Sequence, residues 1–183
     1  MMKSSHKGSS KNQVKLKAVE VKHSNKYHHD THDQGPVAKT NVSDAEVSSL
    51  LFMIEEEKMA RDIYDSLFEQ TGLIQFDRIS DSEQNHYDTL LATADKLGID
   101  TSALSTESGV FTNVEVQNLY DQLIAQGSVS IDAAIDVGIA IETTDIADLY
   151  SAIESSEISL LGGVYGNLLD ASYSHLTAFE NIA

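Results

Sequence analysis

Four stretches of some twenty residues or more in this chain carry an apolar stripe spaced alternately by threes and fours, and each stripe is broken near its middle by polar or ionisable side chains. Spacing of that period belongs to α-helices with one buried face. No stretch alternates apolar and polar residues for long, and no Asn-Gly or Asp-Gly pair offers a hairpin turn, so strands do not compete. The first run opens with the capping-box pair Ser43 and Glu46 and is expected to reach about Gln70, short of Gly72. The second is expected from about Asp77 to Leu97, with Gly98 as its stop. A shorter helix is expected over 113–126, ending at Gly127. Ser130 then caps a third long run to about Glu154, and a fourth extends from about Glu157 to Ile182. That last run holds Gly162, Gly163 and Gly166, each costing about 1 kcal/mol against alanine inside a helix. They leave two uses open: a late start or bend, or the close approach of a neighbouring helix.

Helices of this length are rods of about 30–38 Å, and residues 98–129 are far too many for a hairpin turn between the second and third rods. One long crossover joining two helix pairs is the connection of a ferritin-like four-helix bundle. The expected fold is therefore all-α: a ferritin-like bundle over 43–183, with the extra short helix in its crossover. Residues 1–42 differ in composition. Eight of the twelve basic residues lie before residue 41, among Ser, His and Asn, and apolar side chains are too few to offset the entropy of ordering. This segment is expected to be a disordered basic tail. Its His28, His29 and His32 could hold a metal weakly, but a solvated polar tail is the simpler account and no site is placed there.

The interruptions of the stripes fall at matching depth. In the first helix the stripe is Leu50, Ile54, Glu57, Arg61, Tyr64 and Phe68, with Glu55 and Glu56 expected at its sides. The second gives Ile79, Glu83, His86, Leu90 and Leu97. The third gives Ile131, Ile135, Gly138, Glu142, Asp145 and Leu149, and the fourth Leu161, Leu168, Ser172, His175, Phe179 and Ile182. A carboxylate buried alone costs several kcal/mol, so four of them facing one another need positive charge between them. The chain has no cysteine, which excludes disulfides, thiolate zinc sites and iron–sulfur clusters and leaves only oxygen and nitrogen donors. Glu83 and His86, at i and i+3, lie on one helix face and can reach the same centre; Glu142 and Asp145 repeat that spacing. Glu57, Glu83, His86, Glu142, Asp145 and His175 together make four carboxylates and two imidazoles, a set that balances two divalent ions, iron or else manganese.

Each piece also has a plainer explanation. A single E-x-x-H arises often by chance, His175 alone reads as a hydrogen-bonded core histidine, and Arg61 could neutralise Glu57 in a metal-free salt-bridge network. Joint placement at mid-helix in all four long runs favours metal. Residues 41–183 carry four basic against 26 acidic side chains, a net of −22, which repels nucleic acid and anionic membranes and attracts cations. Met1 to Lys17 lack an apolar signal core, and no 18 consecutive apolar residues occur, so a cytoplasmic chain with neither nucleic-acid nor membrane partners is expected.

Several strings carry a family resemblance. Glu57-Lys-Met-Ala-Arg-Asp-Ile-Tyr64 resembles the rubrerythrin pattern E-x-x-A-R-x-x-Y, and Glu83-Gln-Asn-His86 resembles its second-helix E-x-x-H. Over about residues 48–181, EEEKMARDIYDSLFEQ, SEQNHYDTLL, GVFTNVEVQNLYDQLIAQGSVSIDAAIDVGIAIETTDIADLY and VYGNLLDASYSHLTAF resemble the ferritin-like family called domain of unknown function 2202. The resemblance implies a ferritin-like fold and makes Glu57, Glu83, His86, Glu142 and His175 ligand candidates, with Asp145 as a further carboxylate. The fourth helix departs from the rubrerythrin pattern: Ser172-Tyr-Ser-His175 stands where E-x-x-H is expected, so Asp145 supplies the missing oxygen or one metal position is weak, open or empty. The expected activity is that of a di-iron oxidoreductase, ferroxidase or peroxidase, acting on oxygen or peroxide. Tyr64 is a candidate electron or hydrogen-bond donor, although a core tyrosine needs no such role. The alternatives are a metal storage or buffering protein and a metal-free helical module that meets partners through 113–126. Pairing into a homodimer is left open.

Overall fold

The computed structural model describes residues 42–183; residues 1–41, with the expected tail and its histidines, lie outside the described residues. Five α-helices and no strand are found among the described residues. Ser43 begins the first: its Oγ accepts the Glu46 amide at 3.3 Å while the Glu46 carboxylate accepts the Ser43 amide at 3.0 Å. This reciprocal cap satisfies two amides that a helix start leaves free. The helix, α1, spans Asp44–Thr71 and ends where Gly72 turns to φ 68°. α2 spans Ile74–Leu97 and starts ahead of the expected Asp77. No side chain caps it; instead Phe76, fully buried against Tyr64 and Phe179, draws the first turn onto the core.

Asn113 caps α3 (Val114–Gly127) through its side-chain oxygen, 2.8 Å from the Glu115 amide. Ser130 caps α4 (Ile131–Ser155), and α5 covers Ser159–Glu180. α5 runs through Gly162, Gly163 and Gly166 as one helix, and nothing lies within 4 Å of where their Cβ atoms would be. Close approach is therefore not their use. It occurs instead at Gly138, where an added Cβ would meet the Phe179 ring at 2.9 Å, and at Gly127 against Leu67 at 2.8 Å.

α1 packs along α2 and α4 packs along α5, while α1 also meets α4 and α2 meets α5. Each long helix thus touches two others in the cyclic order α1, α2, α5, α4, and α3 packs on α1 and α4. Two apolar clusters result. One gathers Met59, Ile63, Tyr64, Leu67, Phe76, Ile79, Val137, Ile141 and Phe179. The other gathers Leu50, Met53, Ile54, Leu90, Leu149, Leu161, Tyr165 and Leu168. In all four long helices the ionisable or polar positions lie in sequence between the residues of one cluster and those of the other, so the polar residues form a layer between two greasy ends. Not every expected stripe position is buried: Ile131 is half exposed, because it sits at the first turn of α4, beyond the packed layers.

Residues 98–130 make the crossover, and α1 holds it in place. Lys58, only 1% exposed, donates from Nζ to the Glu107 carbonyl at 2.7 Å and to Asp62 at 3.0 Å. Asp62 in turn accepts the Gly109 amide at 2.8 Å, and Gly109 adopts φ 73°, a conformation that favours glycine. Glu55 accepts the amides of Thr112 and Asn113 at the start of α3. The expectation that Glu55 and Glu56 flank the buried face is corrected here, since Glu55, Glu56, Glu57 and Lys58 are all buried. The crossover covers the side of α1 that a four-rod packing alone would leave in water.

Candidate metal centre

Glu83 is the hub of the polar layer. Its Oε2 lies 2.7 Å from Nδ1 of His86, one turn on along α2, and its Oε1 lies 2.8 Å from Nδ1 of His175 on α5. Glu57 on α1 brings Oε2 to 3.2 Å from the same nitrogen of His86, and Glu142 on α4 brings Oε2 to 3.5 Å from that of His175. Two triads follow, Glu57–Glu83–His86 and Glu83–Glu142–His175, each offering three donor atoms within 4.8 Å of one another. The imidazole rings stack with centroids 5.7 Å apart. Three helices, α1, α4 and α5, therefore supply one donor group each, α2 supplies two, and either triad is small enough to close around one ion.

The surroundings orient these groups. Tyr64, fully buried, donates its hydroxyl to Oε1 of Glu142 at 2.6 Å. Nε2 of His175 lies 3.0 Å from Oγ of Ser82, a contact that turns Nδ1 toward the carboxylates, as ligand histidines are commonly held. Asp145 is buried beside the triads but belongs to neither. Its Oδ2 is 2.5 Å from Oγ of Ser172, which is also 2.9 Å from the Leu168 carbonyl. A hydroxyl has one proton. If Ser172 donates it to Leu168, the short contact to Asp145 requires a proton on the carboxyl.

Electrostatics point the same way. Burial, with Glu142 next, raises Asp145 well above the ordinary carboxylate range, and burial followed by Asp145 and Glu83 does the same to Glu57. Burial and Glu83 push Glu142 up to about 7, against the pull of His175 and Tyr64. Burial also opposes the charge on Glu83, but His175 and His86 overcome it and bring Glu83 down to about 2. His175 shows the converse: burial disfavours its cation, yet Glu142 and Glu83 carry it up to about 10. The metal-free layer is thus a store of protons, with Glu83 as its most persistent anion.

The alternative of an arginine counter-ion for Glu57 does not hold. Arg61 forks onto Asp62 at 2.7 Å, donates to Gln84 at 2.6 Å and lies over the Tyr87 ring. Among the described residues the ion pairs of Lys58 and Arg61 go to Asp62, and the triad carboxylates pair only with histidine.

Residues 46–182 match the domain family described as an uncharacterized protein domain, DUF2202. The chain belongs to the DUF2202 family. It is similar to the uncharacterized protein MJ0754 of Methanocaldococcus jannaschii, 37% identical over 141 residues that cover 77% of this chain and 76% of that one. It is also similar in fold to the crystal structure of the hypothetical protein MJ0754 from Methanococcus jannaschii DSM 2661, with TM-score 0.77 and 35% identity over 81% of this chain and 85% of the other. Both triads, and Tyr64, Asp145 and Ser172 beside them, fall inside the DUF2202 match.

Of the six side chains expected from the sequence as ligands of this DUF2202 chain, Glu57, Glu83, His86, Glu142 and His175 come together in the triads, and Asp145 lies buried beside them. It missed Ser82, Glu56 and Asp148. Ser82 left no signal, because a serine one residue before Glu83 looks like any solvated helix position. Glu56 and Asp148 did leave one: the run Glu55-Glu56-Glu57 in mid-helix, and Asp148 at i+3 from Asp145. A stripe one residue wide on α1 hid the first.

Proposed function

We propose that this chain is a ferritin-like four-helix bundle whose polar layer holds two divalent iron-class ions and uses them for oxidoreductase chemistry with oxygen or peroxide. The observation that carries it is the pair of overlapping triads sharing Glu83, whose two oxygens face one imidazole nitrogen each. Three features of the chain support the fit. Buried Glu57 Oε1, Asp145 Oδ1 and His175 Nδ1 have no hydrogen-bond partner, a costly state for such atoms. For His175 this holds even though Glu83 is 2.8 Å away, so the approach is off the line of a ring hydrogen bond. The donor set mixes carboxylate oxygen with imidazole nitrogen, which ferrous and manganous ions accept, and four carboxylates match the charge of two such ions.

In this assignment Glu57 and His86 would hold one ion and Glu142 and His175 the other, with Glu83 shared between them. A ferrous pair would supply the two electrons needed to cleave a peroxide O–O bond to two hydroxides, or would pass electrons to oxygen. The protein's part is to keep Glu142 oriented through the Tyr64 hydroxyl, to keep His175 turned inward through Ser82, and to shut the layer from bulk water between two apolar clusters. Ser172 fits as the side chain that holds Asp145, whose free Oδ1 leaves one oxygen donor beside the triads.

The test uses the full chain purified without chelator. Elemental analysis is expected to find two iron-class ions per chain, and anaerobic ferrous loading followed by hydrogen peroxide is expected to give a ferric absorption band. A ferrous load that stays ferrous would overturn the oxidoreductase assignment and leave a metal-holding role, which the net charge of −22 on residues 41–183 favours. A chain that binds no metal would overturn both.

A further inference from the structure

Solvent reaches the triads through their imidazoles. The side chains of Glu57, Glu83 and Glu142 are only 2–3% exposed, whereas those of His86 and His175 are 11% exposed. The two rings stack across the seam between α2 and α5, so the layer opens to water along that seam. Nε2 of His86 makes no hydrogen bond among the described residues and is not sealed off. Nε2 of His175 lies 3.0 Å from Oγ of Ser82, a half-buried residue on α2.

The seams on either side of this one are fastened. α2 turns Ser80, Gln84 and Tyr87 toward α1, where they meet Asp65 and Arg61. α4 and α5 are joined by Ser172 with Asp145 in the layer and by Tyr150 with Tyr173 at the surface. Between α2 and α5 the Ser82–His175 contact is, among the described residues, the only side-chain bond apart from that of Glu83 itself. On α5, Ala171 and Ala178 stand one turn to either side of His175 on the same face, and both are half-buried. They flank the ring with methyl groups alone.

We propose that the α2–α5 seam is the entrance through which a divalent ion of the iron or manganese class reaches the triads, and that Ser82 is its latch. The Ser82–His175 bond spans the seam; when it breaks, the ring is free to turn and an ion passes between the imidazoles. Behind them lie Glu57, Glu83 and Glu142, acids that draw a cation inward. The entrance rests on the assignment of the triads as the metal centre. It holds no ion of its own, and it governs how fast the two positions fill.

The experiment uses the full chain stripped with chelator. Diethyl pyrocarbonate followed by peptide mass mapping is expected to modify His86, and to modify His175 more slowly. Manganous ion is then added by rapid mixing, and the free ion is counted by its electron paramagnetic resonance signal. Ser82→Ala is expected to fill about fivefold to tenfold faster, the rate equivalent of one lost hydrogen bond, and to speed the modification of His175. Ala171→Leu sets a larger side chain beside the ring; it is expected to fill about tenfold more slowly, as overpacking a gap raises a barrier, and still to bind two ions. Circular dichroism confirms that the variants are folded, and Ser82→Ala, which deletes only a hydroxyl, keeps the test decisive should Ala171→Leu unfold. An unreactive His86, or either folded variant filling at the wild-type rate, would overturn the entrance and leave the triads standing. A wild type that takes up no manganese would instead overturn the central assignment, and the entrance with it.

Discussion

Metal-free protein should lose stability as pH rises from 4.5 to 7, and metal should reverse the sign of that slope. Glu57 and Asp145, raised by burial and by neighbouring acids, act in the same direction, and Glu142 is the member whose share can be sized. Its carboxyl is pushed from 4.5 up to about 7, by burial first and by Glu83 next, so over that interval the folded chain keeps a proton that the unfolded chain has released. Stability from a raised carboxyl is fully present below the unfolded value and is gone once pH passes the folded one. For Glu142 this amounts to about 3 kcal/mol, or about 6–12 °C in melting temperature for a chain of this size. His175 acts in the same direction over a higher window: raised from 6.5 to about 10, its contribution is complete below 6.5 and disappears as pH rises through 10. The two residues share a contact, so their contributions do not simply add. Glu83 has the opposite sign, contributing above 4.5 and losing its contribution as pH falls through about 2. Metal ligands must shed their protons before they bind, so a manganous load should make stability rise with pH across the same interval. The assay is thermal denaturation followed by circular dichroism from pH 4.5 to 9, with chelator and with manganese. Glu142→Gln cannot ionise and separates the local effect from general repulsion among the surface acids: its metal-free slope between 4.5 and 7 should flatten. A slope unchanged by that substitution, or a metal-free protein whose stability climbs toward pH 7, would refute the electrostatic account of the layer.

Three other outcomes follow from the same geometry. Glu83→Gln removes the carboxylate common to both triads and leaves two imidazoles without their closest anion; it should abolish tight binding at both positions by elemental analysis and cost the metal-free protein about 3–5 kcal/mol in urea denaturation, and two ions retained per chain would contradict the bridging role. Tyr64→Phe strips the hydroxyl that donates to Oε1 of Glu142 inside the core and should cost about 1–3 kcal/mol with metal stoichiometry unchanged. Gly138→Ala drives a methyl into the Phe179 ring and should cost about 1–3 kcal/mol, whereas Gly162→Ala meets nothing and should stabilise by about 1 kcal/mol; equal melting temperatures for the two alanine variants would show that the Phe179 contact does not constrain α4 against α5.

Helix ends were legible wherever a local chemical signal sets them. Ser43 with Glu46, Gly72, Gly98, Asn113 and Ser130 each stop or start a helix through a bond or a backbone angle made by the residue itself, and the structure puts the boundaries there. The start of α2 was not legible, because Phe76 draws its first turn onto Tyr64 and Phe179, two residues far away in the chain. The same division runs through the polar layer. Periodicity is a property of one helix at a time, and it suffices to turn Glu57, Glu83, His86, Glu142 and His175 inward. It does not tell which inward side chains meet.

That meeting depends on offsets between helices, and its result differs for acids one residue or one turn apart. Glu57 and Glu56 are neighbours on α1, yet one faces His86 and the other faces Asp148. Glu55, next again, turns to the amides at the start of α3, and Lys58 to the carbonyls of the crossover. Four consecutive charged side chains on one helix are buried in three different surroundings, which a stripe one residue wide cannot represent. The reason is the crossover: by covering α1 on a third side it turns positions that periodicity assigns to water into interior ones. Burial is tolerable there because each side chain meets a fixed partner or a neighbouring acid with which it can share a proton or a cation. A helix buried on three sides can carry charge to the interior by more than one route, and α1 does so toward the triads with Glu57, toward Asp148 with Glu56, and toward the strap that encloses both with Glu55 and Lys58.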